Sequence, residues 1–556
     1  MDKIIIYQVL PRLFGNRSRP CTPNGTIEEN GCGKFNDFTP EVLQKIKKLG
    51  VTHVWYTACI RHATTTDYSS HGIPCQHPAV VKGKAGSGYA ISDYYDVDPD
   101  LAIDVNHRMQ EFESLIKRTH ASGMKFILDF VPNHVARQYH SIAKPANVKD
   151  LGEDDDKSVH FSPNNNFYYF PNQQLVLPES LRNIKNEKGE VYSELPAKAT
   201  GNDRFCPTPD CNDWYEAIKF NYGIDYCDNR SLHFDPPPNT WVKMTEILLY
   251  WASKGIDGFR CDMAEMVPAQ FWAYATSRVK KAHPGFIFIG EVYDPSQYRN
   301  FIASGFDYLY DKVGMYDYLR GALTHYCNTQ EITYRWESTS DIWGHMLYFL
   351  ENHDEQRIGS DFFAGDCRKA VPALAIEILM NTNPVMIYAG QEFGERGMDS
   401  EGYSGRDGRT TIFDYWSPEA LRNGYYNPKG LTKDQVDLYD NYTKICSLAR
   451  TEKAVSQGSF FDLLYVNGHL NVRQYPFLRK KDDDLLLVVA NFDDNAVSVD
   501  VNIPKAAIEY MNIATGKYKA TDLLSNYSVE FEIQNDAPVH VDIPSYKAIA
   551  LKLKHI

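Results

Sequence analysis

What constrains this chain most is a rhythm. Between residues 4 and 389, short apolar runs of strand character recur, most of them separated by runs of helical length and spacing. The strand-like runs are Ile4–Leu10, Val51–Thr57, Lys125–Val131, Gly258–Asp262, Phe286–Glu291, Phe306–Tyr310, Met346–Leu350 and Pro384–Ala389. Helical runs are Thr39–Lys48, His107–Ser122, Trp241–Lys254, Pro268–His283 and Arg368–Met380. Strand and helix alternating through eight strands predict an α/β chain whose parallel strands close into a (β/α)8 barrel rather than an open sheet.

Two departures from the rhythm divide the chain. Between the third strand and its helix lie about a hundred residues rich in Asn, Pro, Asp and Tyr, far too many for a simple loop. They include the acidic run Asp150–Asp156, read as a solvated loop, and the aromatic run Phe167–Phe170. Residues 135–236 are therefore expected to form an inserted domain on the C-terminal face of the barrel. After the eighth strand come a Gly-rich loop (390–408) and an amphipathic helix near Lys433–Arg450. From Gly458 the pattern changes to short alternating strands, clearest at Leu485–Phe492, Val497–Ile503 and Ala548–Leu553. The expected organisation is a barrel at 1–134 and 237–455, the insert at 135–236, and a C-terminal antiparallel β-sandwich at 456–556.

Composition narrows the partners. A net charge of −14 argues against nucleic acid. No stretch reaches the roughly 20 apolar residues needed to span a membrane. The start, Met1–Leu10, has an acid after Met and too short an apolar run for a secretion signal, so a cytoplasmic protein is expected. Eleven cysteines make an odd count without metal-binding spacing; the group Cys206, Cys211 and Cys227 lacks a regularly spaced fourth ligand. The 37 Tyr and 8 Trp supply flat amphipathic rings of the kind that cover sugar faces.

The chemistry gathers at strand ends, where barrel enzymes place it. Strand three runs into Asp129-Phe130-Val131-Pro132-Asn133-His134, and strand four carries Arg260 and Asp262, two apart and so on one side. Strand five ends Gly290-Glu291-Val292-Tyr293, and strand seven ends Glu351-Asn352-His353-Asp354. Any one of these has a bland reading as a helix cap or a packed ion pair. Their order and spacing together do not.

These segments resemble the four signature regions of the α-amylase family, glycoside hydrolase family 13: D-x-x-x-N-H, G-x-R-x-D, a Glu ending strand five, and N-H-D after strand seven. Gly88-Tyr89-Ala90-Ile91-Ser92-Asp93-Tyr94 likewise resembles the family's G-Y-x-x-x-D-Y segment. The resemblance extends over the whole chain, since the family's barrel, inserted domain B and C-terminal β domain match the organisation above. It implies a retaining hydrolase of α-1,4-glucans or malto-oligosaccharides, with Asp262 as nucleophile, Glu291 as general acid/base and Asp354 as the third carboxylate. It also implies that Tyr89, His134, Arg260 and His353 form the substrate-binding set. Arg260 should keep Asp262 ionised, while neighbouring acids lift Glu291. Arg357, just past the last motif, has either a substrate hydroxyl or a nearby acid within its reach.

Departures from the family pattern bear on function. Glu265-Met266 stand where many members carry a Lys-His pair that contacts substrate beyond the cleavage point and helps hold calcium. In Lys219-Phe220-Asn221-Tyr222, a lysine stands where the family often has a calcium-ligating Asp. The expectation is therefore no cofactor and no metal, with Lys219 replacing calcium by bridging the insert to Asn133. The altered pair keeps open an alternative, a transglycosylase or glucosyl isomerase of the same family.

Overall fold

A computed structural model describes residues 3–556. The eight expected strands are present, each trimmed by a residue or two. They are β1 (Ile5–Val9), β2 (His53–Tyr56), β3 (Lys125–Phe130), β4 (Gly258–Cys261), β5 (Ile287–Gly290), β6 (Tyr308–Tyr310), β7 (Met346–Phe349) and β8 (Val385–Tyr388). They pair in chain order and close, β1 against both β2 and β8, all parallel. Strands buried on both faces are almost wholly apolar, and β1 reads Ile-Ile-Tyr-Gln-Val with every residue buried, its one amide, Gln8, facing His353.

One face of each strand turns to the helices and the other fills the barrel. The filling includes Ile6, Trp55, Ile127, Ile289, Leu347 and Met386. Toward the C-terminal ends this apolar layer gives way to polar residues. Arg260 sits in register with Asp129 of β3 and Ile289 of β5. Gln8 lies beside Trp55.

The long helices match their sequence signals: Pro40–Lys48, Arg108–Ala121, Asn239–Ser253, Ala269–Ala282 and Ala370–Leu379. Thr39 caps the first, its side chain accepting from Val42 N. The third ends before Gly255, whose φ of +91° lets the chain turn directly into β4. Helices Tyr298–Ala303, Asp317–Leu323 and Gln330–Ser338, which flank β6, were not anticipated. The first two are too short to show a sustained period, and the third, as long as Pro40–Lys48, carries a weaker apolar stripe. The strands Ile60–His62 and Ile91–Val97 pair antiparallel with register shifts, so no regular alternation announced them either.

The insert is folded. His134–Ala136 pairs with Ala217–Lys219, Tyr169–Phe170 pairs with Ala197–Lys198, and Tyr168, Phe170 and Tyr215 share a small core with Leu175 and Leu177. The aromatic run thus packs the insert. After helix Lys433–Thr451, the C-terminal region forms a six-stranded antiparallel sheet. What was expected as a second sheet is a two-stranded ribbon, Val497–Ile503 with Ala537–Ile543, with alternately exposed side chains. No helix is long and apolar enough to cross a membrane among the described residues.

Candidate active site

The floor of the site is one guanidinium. Arg260, with no exposed surface, sends Nη1 to Asp129 Oδ1 at 3.2 Å and to Asp262 Oδ1 at 3.0 Å, and pairs through Nη2 with Glu291 Oε2 at 2.7 Å. Trp55 and Tyr310 rings flank it at 5.0 and 5.5 Å. A cation among three buried carboxyls on adjacent strands is held because each carboxyl offsets its desolvation. Arg260, expected among the substrate-binding residues, is instead sealed beneath the acids and acts on them.

Glu291 is gripped further. Its Oε2 accepts Met263 N–H at 2.8 Å, and its Oε1 accepts the Tyr293 hydroxyl at 2.7 Å. The first contact requires Met263 to adopt φ 41°, ψ 44°, a left-handed conformation costly for a residue with a side chain. Glu265 steadies the same corner, its Oε2 accepting Tyr293 N–H at 2.9 Å and Asp294 N–H at 3.0 Å. A carboxylate in the Lys position of the family pattern thus ties the end of β4 to the loop after β5.

Across the site, His353 Nδ1 faces the Gln8 amide at 2.8 Å. Its Nε2 lies 2.6 Å from the Tyr89 hydroxyl and 3.0 Å from Asp354 Oδ2. The Tyr89 ring stacks on His353 at 5.1 Å, and its hydroxyl donates to Asp129 Oδ2 at 3.0 Å. His134 is buried beside Trp214, ring centres 5.0 Å apart. Next to it, Lys219 Nζ donates to Asn133 Oδ1 at 2.7 Å and pairs with Asp203 at 2.5 Å, the bridge between insert and barrel that the sequence suggested. Arg357 turns away from the site and takes the neighbouring acid, Glu351, at 2.8 Å.

A cleft of about 330 Å³ opens above this floor. Tyr89, His134, Asp262, Glu291, His353 and Asp354 all line it, so the structure brings six of the seven predicted residues to one surface and places Arg260 directly below. The wall also includes residues that sequence reasoning missed: Trp214, Met263, Tyr293, Phe413 and the pair Lys82–Glu216, 3.0 Å apart. Tyr293 ends a segment already singled out, but nothing in the sequence showed that its hydroxyl turns back. Lys82 and Glu216 come from distant loops with no common motif.

Burial dominates the electrostatics. It pushes the Asp262 carboxyl well above the ordinary range; Arg260 pulls the other way, and the charges of Glu291 and Asp129 add to the rise. Arg260, 3.0 Å away, is thus the group that favours the ionised form of Asp262, against burial and the neighbouring acids that oppose it. Asp354 moves the other way. Burial raises it, but the His353 imidazole, by charge and hydrogen bond, brings it below the usual value. Burial, then Lys219 and Lys82, lower His134 to about 3, so it stays neutral. The arrangement offers three buried carboxyls around one cation, with Asp354 at the rim and aromatic and imidazole walls.

Comparisons with known proteins show the family and the fold. Residues 8–435 match the family model described as the α-amylase catalytic domain. The chain is 24% identical over 479 residues to Alpha-amylase 3 of Dictyoglomus thermophilum, covering 79% of this chain and 81% of that one. It is 23% identical to a cyclomaltodextrinase of a Bacillus species, covering 88% and 72%. Among solved structures, a maltogenic α-amylase from Thermotoga neapolitana superposes with a TM-score of 0.63 at 18% identity, covering 99% of both chains. The α-amylase of Geobacillus thermoleovorans, complexed with acarbose, gives 0.64 at 18%, covering 100% of this chain and 98% of that one. This chain belongs to the α-amylase family of glycoside hydrolases.

Proposed function

We propose that the protein is a retaining glycosidase of α-1,4-linked glucose oligomers, with Asp262 as nucleophile, Glu291 as acid/base and Asp354 as the carboxylate that holds sugar hydroxyls. The observation that carries this reading is the single Arg260 fork joining Asp262 and Glu291 at the base of the cleft. A retaining enzyme needs its two carboxyls close, with no room for a water between them. In the first half-reaction an Asp262 oxygen bonds to the sugar C1 as the C1–O bond breaks, and the Glu291 proton passes to the departing oxygen. In the second, water attacks C1, its proton goes to Glu291, and Asp262 leaves as a carboxylate. Asp262 Oδ1 is held by Arg260, while Oδ2 has no hydrogen bond among the described residues and is the oxygen left to attack. Tyr89 supports the ring face, and His134 and His353 receive or donate at hydroxyls.

The relatives named α-amylase and cyclomaltodextrinase, and the structure complexed with acarbose, support an α-glucan substrate. A second reading, transfer to another sugar instead of water, draws on the wall beside Glu291. Met263 and Tyr293 line that wall, and Glu265-Met266 replace the family's Lys-His pair. Lys219 stands in for calcium in this proposal. Its ammonium takes Asn133 Oδ1 and Asp203, and that donor set around a fixed positive charge does not suit a hard dication. All eleven cysteines are free thiols, some exposed, which supports a reducing, cytoplasmic setting.

Incubation with maltotriose and maltoheptaose, with products followed by chromatography, separates the two readings. Only shorter sugars mean hydrolysis; longer or non-reducing products mean transfer. Glu291→Gln is expected to lower kcat by roughly 10²–10⁴-fold, and Asp262→Asn at least as much, with the circular dichroism spectrum unchanged. Wild-type turnover by either variant overturns the assignment.

A further inference from the structure

The two oxygens of Glu291 are not equivalent. Oε2 accepts the Met263 N–H at 2.8 Å and lies 2.7 Å from Arg260 Nη2, a cationic nitrogen that cannot accept a hydrogen bond. A hydrogen on Oε2 would point at groups that cannot accept it. The transferable proton therefore belongs on Oε1, whose one hydrogen-bond partner among the described residues is the Tyr293 hydroxyl at 2.7 Å. A phenol is both donor and acceptor, so it suits either state of the carboxyl. We propose that Tyr293 is a positioning residue for acid/base catalysis: its hydroxyl holds the Glu291 proton on Oε1 before bond cleavage and steadies the carboxylate after the proton has left.

Three observations support this beyond the one contact. Tyr293 lines the same cleft as Glu291, Asp262 and Asp354, so a departing sugar oxygen meets it there. Burial, and then the Glu291 charge, push the Tyr293 phenol well above its ordinary value, which keeps it a neutral partner rather than a competing base. Its backbone is fixed by Glu265, which accepts both the Tyr293 and Asp294 N–H groups. When Glu291 is ionised, Tyr293 donates to Oε1. When Glu291 carries the proton, the phenol can accept it until the glycosidic oxygen takes its place. The proposal rests on Glu291 being the acid/base.

The test compares two substrates. Cleavage of maltotriose expels a sugar alkoxide and needs the proton, whereas α-maltosyl fluoride expels fluoride and needs it far less. Tyr293→Phe keeps the ring and removes only the hydroxyl. It is expected to lower kcat/KM on maltotriose by roughly tenfold to a hundredfold, the scale of one hydrogen bond to a charged group. On the fluoride the expected loss is within about threefold. Glu265→Gln should show the same bias more weakly. Glu291→Gln, run alongside, should show it most strongly. Equal losses of Tyr293→Phe on both substrates, or none on either, overturn the role of Tyr293 while the Glu291→Gln bias stands. If Glu291→Gln itself shows no bias between the substrates, the acid/base assignment fails and this proposal fails with it.

Discussion

At the scale of single residues, the site was legible wherever a charge occupies a position that packing alone would not choose. Asp262, Glu291 and Asp354 stand at or beyond strand ends, and the structure gathers them. What stayed hidden was direction. Trp214 reads as one more loop aromatic, yet it lies against His134. Tyr293 reads as the residue after a strand, yet its hydroxyl returns to Glu291. The protonation of His134 was equally invisible, because it depends on burial and on Lys219 and Lys82 nearby. A histidine lowered to about 3 is largely neutral a pH unit above that value and beyond, so it does not supply an acid limb in the mildly acidic range. His134→Gln is therefore expected to reduce kcat/KM on maltotriose by about tenfold, the worth of a lost hydrogen bond, without moving that limb. A displaced acid limb in the pH profile would contradict the neutral imidazole.

Among elements, the barrel strands were the most legible, because a parallel strand buried on both faces must be almost wholly apolar and is bounded by polar turns. Elements defined by partners remote in sequence were not. The hairpin Ile60–His62 with Ile91–Val97 pairs across a long loop through register shifts, and the three helices around β6 are short or only weakly amphipathic. The strand Ala217–Lys219 belongs here too. It brings Lys219 next to Asn133 by pairing with His134–Ala136. If Lys219 does the work of an ion, EDTA leaves the Tm unchanged and metal analysis finds no stoichiometric calcium. Lys219→Met, which leaves Asn133 and Asp203 without their donor, should then cost about 1–3 kcal/mol of stability in denaturant unfolding and lower activity through His134. Tightly held calcium in the purified protein would defeat this reading.

Across the whole molecule, the C-terminal sheet is joined to the barrel by a buried cation that has no carboxylate partner among the described residues. Arg479 donates to the carbonyls of Ala454 (3.0 Å), Val455 (2.9 Å) and Gly458 (2.8 Å), and also to Met380 at the end of the helix Ala370–Leu379. Burial lowers it to about 9, and the carbonyl dipoles are what hold it. Arg479→Ala would leave several buried carbonyls without donors, and a loss of at least about 3 kcal/mol is expected in thermal unfolding. A Tm within a degree of wild type would show that the two parts are joined mainly by apolar packing. Sequence by itself determined the alternation of strands and helices, the place of the insert, and the set of charged residues at the strand ends. Each of these follows from local periodicity and from the cost of burying charge. Only the tertiary structure decided which donor faces which carboxyl oxygen, how Arg260 is shared among three acids, and which distant loops wall the cleft. Those outcomes depend on barrel closure and on the exclusion of water, and neither is a property of any one segment.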